Sequence, residues 1–134
     1  EAVKKTSVYK EEDTVVPRAA LAALVRGVKG ICAKAGVTVV CYGHARDGNL
    51  HCNVLRMGMD ERKWNDLLPG VVEEIFRLTV SLGGSVSGEH GIGWVQRRYL
   101  PLAASPDAIA VMRSIKQAFD PLGILNPDKV LPDL

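Results

Sequence analysis

The three histidines of the chain all lie in two glycine-rich segments. His44 and His51 belong to the first segment, in which residues 43–53 read GHARDGNLHCN. Asp-Gly between two apolar runs is typical of a two-residue hairpin turn, and a turn at Asp47-Gly48 would place His44 directly opposite His51. Directly opposed residues have Cβ atoms about 4.5–5.5 Å apart. This spacing predicts that the two imidazoles can share one metal ion.

The strand that follows this turn has one polar and one apolar face, because successive side chains of a strand point to opposite sides. The polar residues are Asn49, His51 and Asn53, and the apolar residues are Leu50, Cys52 and Val54. The apolar set predicts a core face. The polar set is typical of the floor of a polar pocket, but also of an ordinary solvent-facing strand, and spacing leaves both interpretations open.

The third histidine lies in the second segment, in which residues 83–93 read GGSVSGEHGIG. This segment lacks the dinucleotide fingerprint, since Gln96 stands where glycine or alanine is needed, and it lacks the Gly-Lys-Ser/Thr of a phosphate loop. What remains is Glu89 and His90 between glycines, which allow close approach of another backbone or a flat cofactor. Glu89 is a candidate third metal ligand that leaves a coordination position open. His90, pointing elsewhere, is a candidate proton carrier; an inert solvated loop is the alternative.

The elements that must position these residues follow from hydrophobic periodicity. We predict strands at residues 8–16, 37–42 and 49–56. A first helix starts at Pro17 and stops at Gly36, and a second, capped by Asp60, ends at Gly83-Gly84. The inner stripe of the second helix is Trp64, Leu67, Leu68, Val71, Ile75, Leu78 and Leu82. This order predicts an α+β fold, an antiparallel sheet with helices on one face.

A last helix is predicted from Ser105-Pro106-Asp107 to residue 119, with an irregular tail after it. Its buried stripe is expected to be Ile109, Met112, Ile115 and Phe119.

Composition limits the class of protein. The 134 residues are 47% hydrophobic and 24% charged, which suits one compact domain or part of a larger one and excludes a disordered tail or a disulfide scaffold. A net charge of +2, from scattered basic residues, does not indicate nucleic-acid binding. No apolar run is long enough to span a membrane.

Glu1 opens no signal peptide and is not an initiator Met, so we expect a fragment of a longer chain. Cys32, Cys41 and Cys52 are expected to be buried, reduced thiols of a cytoplasmic protein.

Three segments carry a resemblance to a known family: residues 43–51, residues 87–93, and residues 119–127, which read FDPLGILNP. In this order they resemble the C-terminal part of the FAD-linked oxidases of the vanillyl-alcohol oxidase type. The resemblance is to the D-2-hydroxyacid dehydrogenase branch, which includes glycolate oxidase flavoprotein subunits, D-lactate dehydrogenases and D-2-hydroxyglutarate dehydrogenases. It implies that residues 1–134 are the C-terminal part of the cap (substrate) domain, a ferredoxin-like half, and that the N-terminal FAD-binding domain lies outside this chain.

The resemblance also implies roles for individual residues. His44, His51 and Glu89 match the divalent-metal ligands, usually zinc, of the metal-dependent members. His90 matches the proposed general base, and Asn53 matches a polar residue that contacts the substrate. Asn126 lies in a tail that returns towards the flavin. Two positions depart from the family pattern, which usually has glycine where Arg46 and Asp128 stand.

The implied reaction is the oxidation of a D-2-hydroxy acid of the lactate, glycolate or 2-hydroxyglutarate type to the 2-oxo acid, by hydride transfer to FAD. The divalent metal would position the substrate, and this chain alone would be inactive. The expected partners are a small hydroxy acid, an electron-acceptor protein or quinone, and a second copy in a homodimer. The full-length protein is expected in the cytoplasm, with peripheral membrane attachment as an option.

Two other classes of function remain open from the residues. One is a stand-alone metal-binding or interaction domain without redox activity. The other is a metal-dependent hydrolase that uses His44, His51 and Glu89.

Overall fold

The computed structural model describes residues 5–132, which belong to two compact units, residues 1–90 and residues 91–134. Glu1, on which the expectation of a longer chain rests, lies outside the described residues, as do the last two residues of the predicted tail. The candidate ligands and the candidate general base all belong to the N-terminal unit.

The N-terminal unit is built on a three-stranded antiparallel sheet, formed by β1 (Tyr9–Val15), β2 (Thr38–Tyr42) and β3 (Asn49–Leu55). The strand order is β1-β3-β2, so β3 pairs on both of its edges. All seven residues of β3 are buried. The three predicted strands are therefore confirmed, and the strand with the polar row is the central one.

Two helices pack on one face of this sheet, as predicted. A 3-10 turn (Arg18–Ala20) leads into α1 (Leu21–Lys34), and α2 spans Glu61–Ser81. Their apolar stripes meet the apolar residues of β3 in one core. Its buried members include Leu24, Val28 and Cys32 of α1, Trp64, Val71 and Ile75 of α2, and Leu50, Cys52 and Val54 of β3. The α+β prediction is confirmed.

The ends of both helices follow local chemistry. The Asp60 carboxylate accepts hydrogen bonds from the backbone N–H groups of Arg62 and Lys63, at 3.0 and 3.1 Å, and so caps α2. Gly36 follows α1 and Gly83 follows α2 with φ of 71° and 79°, a conformation that favours glycine.

The hairpin between β2 and β3 differs from the prediction. His44 pairs with Asn49, because each backbone N–H donates to the carbonyl of the other, at 3.2 and 3.3 Å. Residues 45–48 form a four-residue loop, and Tyr42 rather than His44 lies opposite His51. The two-residue turn at Asp47-Gly48 was therefore wrong. The actual register is shifted by two residues, which preserves the face on which each side chain lies.

The thiols belong to the core side of the sheet. Cys32 and Cys52 are buried, as expected, whereas Cys41 is half-buried, and all three cysteines are free. Cys41 lies directly opposite Cys52 in the β2–β3 register.

The C-terminal unit contains a 3-10 turn (Arg97–Tyr99), the short helix α3 (Leu100–Ala103) and helix α4 (Pro106–Phe119). Neither the turn nor α3 was predicted. Ser105 caps α4 by accepting a hydrogen bond from the backbone N–H of Ala108, and Pro106 occupies its first turn, as predicted.

The predicted burial of the apolar stripe of α4 is wrong. Only Ile109 is buried, and Met112, Ile115 and Phe119 are 39%, 55% and 82% exposed. Periodicity identifies an apolar face, but it does not say whether another element covers that face. Among residues 5–132, nothing buries these three side chains.

None of the described helices is both long and apolar enough to cross a membrane.

Candidate metal centre and active site

The candidate site lies on the face of the sheet opposite the helices, where β3 carries its polar row. His51 is its centre: the register sets Asp13 of β1 on one side of it and Tyr42 of β2 on the other. The His51 side chain is only 7% exposed. Because β3 is the central strand, neighbouring strands hold the position of this imidazole on both edges.

The three predicted metal ligands converge. Oε1 of Glu89 lies 3.1 Å from Nε2 of His51 and 3.8 Å from Nε2 of His44. The ligand atoms of all three residues lie within 4.8 Å of one another. A tetrahedral ion about 2.0–2.1 Å from each ligand needs ligand atoms about 3.4 Å apart. Two nitrogens and one carboxylate oxygen at these distances fit a divalent metal such as zinc after small side-chain adjustments.

A further carboxylate lies beside the His51 ring, without a hydrogen bond to its Nδ1. Oε1 of Glu11 lies 3.6 Å from Nδ1 of His51, on the side of the ring away from Glu89. The Tyr42 hydroxyl donates a hydrogen bond of 3.2 Å to the same Glu11 oxygen, and the Tyr42 and His51 rings are 5.4 Å apart. A carboxylate beside the non-ligating nitrogen of a metal-binding histidine is a common arrangement, because it fixes the ring and raises ligand basicity.

His90 lies against this group and does not point away from it. Its ring stacks on that of His51, with ring centres 5.0 Å apart and planes inclined by 30°. Its Nε2 lies 3.7 Å from Oε1 of Glu89, and half of the side chain is exposed. Thus His90 stays outside the set of three ligands, with a ring open to an incoming molecule.

The residue that sequence reasoning missed is Asp13, which is 1% exposed. Its Oδ2 accepts hydrogen bonds from the backbone N–H groups of Gly88, Glu89 and His90, at 2.9, 2.7 and 2.8 Å. Its Oδ1 accepts one from the side-chain amide of Asn49, at 2.7 Å. Burial alone would raise the pKa of Asp13, but these hydrogen bonds together outweigh it and lower the pKa, so the carboxylate form is favoured.

A weak signal for Asp13 was present in the acidic run of residues 11–13. Two-residue periodicity sets Glu11 and Asp13 on one face of β1 and Glu12 on the other. Which acidic side chain reaches the Glu-His loop depends on the β1–β3 register, over 36 residues of separation, and local patterns do not specify it. The loop packs closely against Asn49 at Gly88, because a Cβ at residue 88 would lie 2.1 Å from Nδ2 of Asn49.

The other two predicted site residues differ in their surroundings. Asn53 lies two residues beyond His51 on the same face and is fully buried, and neither atom of its amide has a hydrogen-bond partner within the described part of the chain. An unpartnered buried amide is costly, which makes Asn53 a candidate binding group. Asn126 belongs to the C-terminal unit, where it is exposed and has a φ of 45°.

The chain is similar in sequence to a family of known proteins. Residues 1–130 match the family described as FAD linked oxidases, C-terminal domain. The chain is 38% identical over 121 residues to glycolate oxidase subunit GlcD of Bacillus subtilis, an alignment that covers 89% of this chain and 25% of the relative. It is 34% identical over 131 residues to D-lactate dehydrogenase of Anaerostipes hadrus, covering 97% of this chain and 28% of the relative.

A mitochondrial D-2-hydroxyglutarate dehydrogenase of Arabidopsis thaliana is 36% identical over 133 residues, covering 98% of this chain and 23% of the relative. The chain therefore spans about a quarter of the length of these relatives.

Proposed function

Because the chain belongs to the C-terminal domain family of FAD linked oxidases, we propose that it forms the substrate-positioning part of a flavin-dependent enzyme that oxidises a D-2-hydroxy acid to the 2-oxo acid. The relatives are named for glycolate, D-lactate and D-2-hydroxyglutarate, which are all small 2-hydroxy acids. This chain corresponds to one domain of such an enzyme, so the proposal is that it acts together with a flavin-binding domain.

The observation that carries the proposal is the convergence of His44, His51 and Glu89, with the ring of His90 stacked beside them. Three protein ligands and an open position are the arrangement of a catalytic rather than a structural metal site. Carboxylates surround this position: Glu11 and Glu89 lie 3.6 and 3.1 Å from His51, and Asp13 is its register partner. This negative environment favours a cation, and a bound cation would favour a substrate carboxylate.

The proposed roles follow from these positions. When bound, a divalent metal would supply Lewis acidity at the substrate hydroxyl, and FAD would supply the hydride acceptor. His44, His51 and Glu89 would hold the metal. His90 would accept the hydroxyl proton, because its imidazole is half exposed and lies beside the ligand group. Asn53 would offer its unpartnered amide to the substrate.

The remaining assignments concern the whole protein. FAD would bind mainly to a domain outside this chain, with Asn126 contributing from the C-terminal tail. A quinone or an electron-acceptor protein would reoxidise the flavin.

A second candidate function is a metal-binding domain without redox activity; it is favoured by the presence of the complete ligand set within residues 5–90.

The proposed function is tested with the full-length gene product. We expect a flavin absorbance band that bleaches under anaerobic conditions when a D-2-hydroxy acid is added, while the L-enantiomer serves as the control. Removing metal with a chelator should slow bleaching at least about tenfold, and added zinc should restore it. His51→Ala should retain the flavin and lose the metal-dependent part of the rate. A protein that binds no flavin, even with FAD supplied, would refute the enzyme and favour the metal-binding domain.

A further inference from the structure

The loop that carries Glu89 and His90 is held by one buried carboxylate. Oδ2 of Asp13 accepts from three consecutive backbone N–H groups, those of residues 88–90, and from the Ser87 hydroxyl at 3.2 Å. Hydrogen bonds to an ionised acceptor are stronger than those between neutral groups. The loop is not part of any regular element, so these bonds take the place of a helix or strand in fixing its backbone.

The same carboxylate joins the loop to the strands that carry the other ligands. Asp13 is the register partner of His51, and its Oδ1 accepts from Asn49, which pairs with His44 across the hairpin. The position of Glu89 relative to the two histidines therefore depends on Asp13, although Asp13 offers no free oxygen to the metal. Since Glu89 and His90 are adjacent, one anchor fixes both the third ligand and the candidate base.

From this arrangement, and resting on the proposed metal centre, we propose that Asp13 is the positioning residue of the site. It sets the metal affinity through Glu89 and the proton transfer through His90, by holding the backbone of residues 88–90. Neighbours of metal ligands that fix their orientation typically change metal affinity or activity 10–100-fold when they are replaced.

Glu12 is a matched control for Asp13. It directly precedes Asp13 in β1 and is also fully buried, but it lies on the opposite face of the strand and pairs with Lys10 at 2.7 Å. Replacing either carboxylate removes one buried charge from the same strand. A general loss of stability would follow from both replacements, whereas an effect on the metal site should follow only from replacing Asp13.

The first experiment compares metal binding by the chain, its Asp13→Asn variant and its Glu12→Gln variant. Asparagine keeps the shape of aspartate but loses the charge, and an amide NH₂ in place of one oxygen faces N–H donors. Cobalt titrations followed by visible absorbance, and zinc competition with a chromophoric chelator, should show affinity 10–100-fold lower for Asp13→Asn. The affinity of Glu12→Gln should equal that of the wild type.

Hydrogen exchange provides a readout that needs no metal. The amides of residues 88–90 should be protected in the wild type and in Glu12→Gln, and should exchange at least tenfold faster in Asp13→Asn. Gly88→Ala is a second variant, because its Cβ would lie 2.1 Å from Nδ2 of Asn49 and 2.7 Å from Oδ1 of Asp13, so the contact between the loop and these two side chains must rearrange while every carboxylate is still present. It should weaken metal binding in the same way.

The role through His90 is tested in the full-length gene product at saturating zinc. Asp13→Asn should lower kcat at least tenfold there, because a filled metal site does not restore the position of His90.

The outcomes separate this inference from the proposed function. If the wild type binds no cobalt, the metal centre itself is refuted, and the role of Asp13 with it. If the wild type binds cobalt and a folded Asp13→Asn binds it equally well, only the inference about Asp13 is overturned. If Asp13→Asn does not fold, the cobalt affinity of Gly88→Ala is compared with that of the wild type instead. Equal affinities would overturn the inference about Asp13. Unprotected amides at residues 88–90 in the wild type would overturn the inference without any variant.

Discussion

The chemistry of the site depends on which nitrogen of His51 faces the other ligands. Nε2 lies 3.1 Å from Glu89, and Nδ1 lies 3.6 Å from Glu11, whose Oε1 also accepts from the Tyr42 hydroxyl. A negative charge beside Nδ1 favours the tautomer in which that nitrogen carries the proton and Nε2 is free to bind a metal. The two carboxylates on opposite sides of the ring thus favour one orientation of His51.

We expect Glu11→Gln to weaken zinc binding about tenfold, because the glutamine keeps a hydrogen-bond acceptor but removes the charge that supports the ligand. The measurement is zinc competition with a chromophoric chelator at neutral pH. Glu61→Gln is the control, since that carboxylate is 77% exposed at the start of α2 and changes the net charge equally. An equal loss of affinity in both variants would attribute the effect to overall charge and contradict the role of Glu11.

At this scale the sequence was informative where residue types were rare. Histidine occurs three times, always among glycines, so His44, His51 and His90 could be selected from composition and motif alone. Asp13 could not be selected in this way, because it is one of fifteen acidic residues and its partners are separated from it by up to 77 residues. Its importance comes from the loop that it holds, and no local pattern encodes that contact.

At the scale of elements, the prediction that His44 and His51 share a face is correct although the predicted turn is wrong, because the side chains of a strand alternate with a period of two. The Asp-Gly signal predicted a two-residue turn, but the loop spans residues 45–48, and the pairing is shifted by two residues. An even shift leaves His44 and His51 on the same face, as diagonal rather than direct neighbours, with ring centres 6.0 Å apart. The predicted face was therefore correct while the predicted pairs were not.

The two cysteines of the hairpin can report on this register. His44 and Asn49 form a hydrogen-bonded pair, and pairs alternate along an antiparallel ladder, so Cys41 and Cys52 form a non-hydrogen-bonded pair. Such pairs have Cα atoms about 4.5 Å apart, which is within the range that a disulfide requires. In the register of a two-residue turn, Cys41 would instead lie opposite Val54, and no disulfide could form without rearrangement.

We therefore expect mild oxidation with diamide at neutral pH to form an intrachain disulfide between Cys41 and Cys52. A hydrogen bond from Cys52 lowers the pKa of Cys41 and favours its thiolate, whereas burial raises the pKa of Cys32 to about 11 and keeps that thiol protonated. Peptide mapping by mass spectrometry identifies the linked pair. Cys32→Ser should oxidise like the wild type, and Cys41→Ser should not oxidise. If Cys41 and Cys52 do not become linked to each other, the register is contradicted.

The long helix and the last helix show a second limit at this scale. Of the predicted stripe of α2, Trp64, Val71 and Ile75 are buried and the four leucines are half-buried, whereas the buried Val72, Phe76 and Thr79 were not predicted. The stripe of α4 was identified by the same periodicity, but Phe119 is 82% exposed. Periodicity reports which residues share a face, and burial depends on a partner that periodicity does not reveal.

At the scale of the whole molecule, the C-terminal unit presents an unusual amount of apolar side chain to solvent. Phe119, Leu122 and Ile124 are 82%, 80% and 70% exposed, and they follow one another within six residues. Exposed apolar groups that cluster in this way are typical of surfaces that contact another protein surface. The chain spans about a quarter of its relatives, so their remaining length is one candidate cover, and a second copy of the chain is another.

We expect the chain, prepared alone, to self-associate through these residues. The double variant Phe119→Ser with Leu122→Ser should weaken association at least about tenfold, because each large apolar side chain contributes roughly 1.5–3 kcal/mol when it is buried. Sedimentation velocity over a range of concentrations measures the change. Val8→Ser is the control, since Val8 is 54% exposed but belongs to the N-terminal unit. A wild-type chain that stays monomeric at high concentration would contradict the prediction, and equal weakening by Val8→Ser would place the contact elsewhere.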